Sequence, residues 1–116
     1  MKSLIAALLS ALVFISCAAR TVSPDKEKEI ALATLQQGIE FYNTGKHIMA
    51  LKKLLEAEKT IPENPDLHNS LGLVYLAKER PKLAISHFKK AAKLNPDFIE
   101  AKNNLGAVYL RIEQWE

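Results

Sequence analysis

The chain has 116 residues, 16 Lys and Arg against 13 Asp and Glu, a formal net charge of +3, and one cysteine. That length bounds one modest domain. The small charge excess leaves no electrostatic footprint for nucleic acid, and a lone thiol excludes an intramolecular disulfide. Lys2 precedes an uncharged run, residues 3–19, rich in Leu and Ala. The run is long enough for the core of an export signal and short for a membrane span.

At the end of that run Phe14 and Ile15, two apolar residues, and Ser16, a small one, precede Cys17. This tetrad resembles a bacterial lipobox, with Phe14 in place of the usual Leu. The resemblance implies a lipoprotein signal peptide over 1–16, a diacylglyceryl group on the Cys17 thiol, cleavage after Ser16 and acylation of the new amino group, with palmitate the expected kind of chain. Two or more acyl chains anchor a protein stably where one does not. Ordinary secretory cleavage after Ala18 or Ala19 and a buried structural cysteine are the alternatives. Residues 17–23 form the lipidated linker, and the six from Ala18 to Ser23 span about 20 Å when extended, which keeps the domain near the bilayer. Ala18 stands where lipoproteins retained in the inner membrane often carry Asp. The resemblance therefore implies lipid anchoring in the outer membrane, facing the periplasm.

Ser23 is placed to cap, and Pro24 to open, a helix over about 24–43. One stripe of that helix, Ile30, Thr34, Gln37 and Phe41, is expected to face the following helix. A second stripe, Leu32, Leu35, Ile39 and Tyr42, recurs at intervals of three and four and points elsewhere. From here a 34-residue step organises the chain: Gly38, Gly72 and Gly106 keep it, as do Ala50 and Ala84, Ala57 and Ala91, Pro62 and Pro96, and the aromatics Phe41, Tyr75 and Tyr109. A fixed period of this size marks stacked supersecondary units that share one core. Small residues fall where helix axes come close, and Leu71, Tyr75 and Phe88 fill the space beside them. Pro81 is expected in the first turn of a helix over 81–94. Asn64-Pro65 and Asn95-Pro96 are expected to start first helices as cap and following residue.

These residues resemble the tetratricopeptide repeat: Leu71, Gly72 and Tyr75 on one helix, Ala84, Phe88 and Ala91 on the next, and Pro96 at the close. The resemblance implies an all-α fold, an α-solenoid of about two and a half helix-turn-helix units in a domain over 24–116, the units being 31–64, 65–98 and a truncated 99–116. The first is looser, with Thr34, Gln37 and Leu54 replacing an aromatic, Leu and Phe. Trp115 takes the slot where an aromatic opens a second helix, so Leu105, Val108, Tyr109 and Ile112 are expected to lack a partner on one side. A fragment of a longer protein or a marginal fold follows.

In the resembled family the face of the second stripe lines a concave groove. It would continue from Leu32, Leu35, Ile39 and Tyr42 through Asn69, Leu73 and Leu76 to Asn103, Ala107 and Leu110. Apolar side chains with amides between them suit an extended or helical protein segment. Covering by a missing C-terminus or a second copy is the alternative. The basic and amide clamp with which some members hold a terminal carboxylate is absent, because Leu35 and Ile39 occupy its positions. Lys82, Lys89, Lys90 and Lys93 make a basic convex face that either meets anionic lipid or an acidic partner, or only solubilises.

No catalytic constellation is legible. His47, His68 and His87 lie on three helices without ligand spacing, so no metal site is expected. Packing accounts for His47 and His68. Ser70 and Ser86 lack an adjacent base, and the four glycines form no phosphate loop. No cofactor, small-molecule substrate or enzymatic activity is expected.

The short lipobox-to-repeat link, the Leu-Gln-Gln-Gly segment at 35–38 and Asn-Asn-Leu-Gly at 103–106 resemble the outer-membrane lipoprotein family of type IV pilus biogenesis and stability. That resemblance implies a scaffold assisting secretin assembly, with secretin subunits as partners. The alternatives are a general adaptor for cell-wall or envelope enzymes, and the anchoring segment of an enzyme whose catalytic domain lies beyond residue 116.

Overall fold

The structure, a computed structural model, describes residues 21–115. The expected signal peptide, the lipobox-like tetrad and Cys17 lie outside that range. Five helices follow in order: α1 (Pro24–Asn43), α2 (His47–Glu58), α3 (Pro65–Ala77), α4 (Pro81–Leu94) and α5 (Ile99–Trp115). There is no strand among the described residues. None of these helices is long and apolar enough to cross a membrane.

Local chemistry sets the boundaries. Ser23 Oγ accepts the Lys26 N–H at 3.3 Å and Asn64 Oδ1 accepts the Leu67 N–H at 2.9 Å, each satisfying a donor that helix geometry leaves orphaned. Pro24, Pro65 and Pro81 sit in first turns, where a missing N–H costs nothing. Both turns inside the helix pairs close alike: Lys46 N–H bonds the Phe41 carbonyl at 2.8 Å, and Arg80 N–H bonds that of Tyr75 at 2.9 Å. The residue before each donor is left-handed, Gly45 at φ 76° and Glu79 at φ 59°. Such a helix end favours glycine, and Glu79 holds the same place without that freedom.

Asn95-Pro96 behaves differently from Asn64-Pro65. Asn95 ends α4, and its side chain accepts the Asp97 N–H at 3.1 Å in a tight local turn. Helix α5 starts only at Ile99. The 34-residue stride explains this, since it aligns Pro96 with Pro62 in the preceding loop, and Ile99 with Pro65.

The helices stack as neighbours along a solenoid. One apolar cluster runs through Ala31 and Leu35, Ala50, Leu54 and Ala57, Ile61, and Leu67, Leu71 and Val74, joining the first pair to the second. Another joins Ala84 and Phe88 to Val108, with Leu105 and Ile112 packed beside them. Val108 is thus fully buried, whereas Tyr109 is 43% and Leu110 65% exposed. On α1 the buried face is Ala31, Thr34, Leu35 and Gly38; of the expected stripe Thr34 is buried and Phe41 packs against the core cluster, whereas Ile30 is half exposed and Gln37 exposed. The physical reason is the close approach at Gly38: a Cβ there would stand 2.7 Å from Leu54 Cδ2. The helices therefore meet along a small-residue line, rotated from the bulkier one.

Candidate functional site

Between α1 and α3 lies a cavity of about 440 Å³. Helix α1 contributes Leu32, Leu35, Gln36, Ile39, Tyr42 and Asn43; α3 contributes Asp66, Asn69, Ser70 and Leu73; Phe98 and Glu100 close the far end. Six of the ten residues assigned to the groove from sequence line this cavity: Leu32, Leu35, Ile39, Tyr42, Asn69 and Leu73. Leu35 is also core, at 5% exposure. Leu76 packs against the cluster of Phe88 and Val108. Asn103, Ala107 and Leu110 are exposed on α5 and do not line the cavity.

The amide of Asn69 has a structural job. Its oxygen accepts from Asn104 Nδ2 at 3.0 Å, and its nitrogen donates to Glu100 Oε1 at 3.3 Å. With the side chain buried and both ends engaged, Asn69 braces α3 against α5 and keeps only one donor and one acceptor site for a guest backbone. The groove is thus apolar on the α1 side, with carboxylates of Asp66 and Glu100 at its polar margin.

The middle helix pair decides the family of the unit. Residues 65–98 match the tetratricopeptide repeat. The matched segment contains the whole of α3 and α4, and the five helices form an all-α solenoid of tetratricopeptide type. A tetratricopeptide unit is a protein–protein interaction module. The curated proteins include no match to this chain.

The tetratricopeptide unit also holds a cluster that sequence spacing hid. His68 and His87 are 19 positions apart, yet their Nδ1 atoms lie 3.0 Å from each other. Two turns separate His68 from Tyr75 on α3, about 10.5 Å of rise. The His87 ring fills that interval, its centroid 5.3 Å from that of His68 and 5.4 Å from that of Tyr75, nearly parallel to both. His68 is buried, and its Nε2 lies 2.6 Å from the Pro62 carbonyl oxygen. A carbonyl only accepts, so Nε2 carries a proton and Nδ1 is the ring nitrogen that faces His87. Glu58, the last residue of α2, places Oε2 3.9 Å from that same Nδ1. Burial holds His87 below its ordinary pKa of 6.5, and His68 adds to this; Glu58 opposes it, while Lys90 depresses it further. His47 is remote in role: its ring tilts against Tyr42 at 5.6 Å, and its buried Nδ1 finds no hydrogen-bond partner among the described residues.

On the opposite side Lys82, Lys89 and Lys93 are exposed along α4, and Lys90 pairs with Glu63 at 3.5 Å. Part of the basic face is therefore neutralised within the chain.

Proposed function

We propose that this protein is a lipid-anchored, periplasm-facing scaffold of the outer membrane that seats an extended or helical protein segment in the α1–α3 groove. It acts by binding rather than catalysis. The observation that carries this reading is the cavity walled by Leu32, Ile39, Tyr42 and Leu73, an apolar trough on an interaction module. The lipobox-like tetrad ending in Cys17 supplies the anchor, and a six-residue link to α1 holds the trough beside the membrane. Within that setting the partner is a subunit of an envelope assembly, with the type IV pilus secretin favoured by the sequence resemblance.

A photocrosslinker at Gln36 or Leu32 in intact envelopes tests the reading. Capture of secretin subunits is expected, and Ile39→Lys or Leu73→Lys should cut it about tenfold while leaving helical content unchanged, because a buried ammonium opposes an apolar guest. Capture of murein hydrolases instead would replace the secretin with the adaptor role. Capture only from probes on the α4 lysine face would reject the groove. The anchor is separable: Cys17→Ser should move the protein from the membrane pellet to the soluble periplasm, and unchanged pelleting would remove the lipid from the account.

A further inference from the structure

Three side chains from three successive helices converge outside the groove, at the seam between the first helix pair and the second. The ligand atoms of Glu58, His68 and His87 all lie within 4.8 Å of one another. We propose that Glu58, His68 and His87 bind one divalent first-row transition ion of the zinc class, through two imidazole nitrogens and one carboxylate oxygen.

The donor set and its spacing suit such an ion. Metal–nitrogen and metal–oxygen bonds of about 2.0–2.2 Å at tetrahedral angles separate ligand atoms by about 3.4 Å. The two Nδ1 atoms are 3.0 Å apart, the carboxylate oxygen is 3.9 Å from that of His68, and all three lie within 4.8 Å of one another, so shifts of about an ångström, largest for the Glu58 side chain, bring the set into place. His68 is already prepared. Its Nε2–H is fixed on the Pro62 carbonyl, the outer contact that orients a ligating imidazole and directs its other nitrogen to the metal. His87 ligates through Nδ1 by moving its proton to Nε2, a tautomer change with no loss of charge. Two nitrogens and one hard oxygen select zinc-like ions over calcium or magnesium, which take oxygen shells. The Glu58 side chain is 34% exposed, which gives an entry path and room for a water as fourth ligand. Lys90, the neighbouring cation, is held by Glu63. Because the ligands come from α2, α3 and α4, the bound ion ties the first unit to the second and stabilises the folded chain by mass action.

The test is Zn²⁺ titration of the untagged full chain in detergent, carrying Cys17→Ser so that no thiol competes. One Zn²⁺ per chain is expected, with a raised thermal midpoint that EDTA reverses. Co²⁺ should give visible bands of a low-coordinate nitrogen and oxygen site. The ring resonances of His68 and His87 should move while those of His47 stay. His87→Gln and Glu58→Gln, both at partly exposed positions that leave the fold intact, should weaken binding about tenfold or more, and His47→Gln should not change it. Equal affinity in all variants, shifts confined to His47, or no binding in excess Zn²⁺ would overturn the site.

Discussion

A Cβ added at Gly72 would run into the Phe88 ring, at Cε1, Cδ1 and Cζ, and the repeat-equivalent Gly38 stands as close to Leu54. Phe88 and Leu54 are themselves repeat-equivalent, so a ring and a branched aliphatic chain solve the same packing problem against bare backbone. Gly106, one stride further, meets nothing within 4 Å among the described residues. The three glycines are therefore indistinguishable by period and different by environment. Gly72→Ala is expected to destabilise by about 1–3 kcal/mol through overpacking against a fully buried ring. Gly106→Ala is expected to stabilise by about 0.5–1 kcal/mol, because alanine restricts the unfolded chain and favours helix. Urea denaturation of the two variants reads both signs in one experiment, and equal losses would mean that Gly106 is packed as tightly as the others.

At the scale of the element, the helix starts at Pro24, Pro65 and Pro81 were legible because capping and proline chemistry act within a few residues. The groove stripe on α1 was legible for a related reason: Leu32, Ile39 and Tyr42 recur at helical spacing, and one helix suffices to place them on one side. What depended on two helices at once was harder. The contact face of α1 runs along Ala31 and Gly38 because closeness favours small side chains, with Phe41 packed beside it, whereas a search for bulky residues also selects Ile30, which is half exposed. Asn69 read as a free groove amide, since nothing in its own helix reveals that Asn104 and Glu100 approach from α5. His68 and His87 read as unrelated because ligand spacing is usually sought along one helix. The signal that finds them is the register of the hairpin. Once Gly72 is set against Phe88, His87 must lie between rings two turns apart on α3, and only His68 and Tyr75 fit that description.

The whole molecule is quasi-one-dimensional, and α3 is its keystone. Helix α3 touches each of the other four, whereas α1 reaches only α2 and α3, and α5 reaches only α3 and α4. Energy in such a stack is a sum over neighbours, so a defect at one end should be felt locally. Amide exchange is expected to be slowest in α3 and faster toward α1 and α5. Val108 is the sharpest probe, being fully buried against Ala84 and Phe88 on the last helix. Val108→Ala removes about two methylene equivalents, worth about 2 kcal/mol with part of the cavity term. That corresponds to exchange in α5 faster by about 30-fold, while amides of α1 and α2 keep their rates within about twofold. A uniform acceleration through all five helices would show instead that the solenoid opens as a single cooperative body. The groove between α1 and α3 would then depend on α5 for its shape, a coupling that the Asn69 brace alone is too weak to impose.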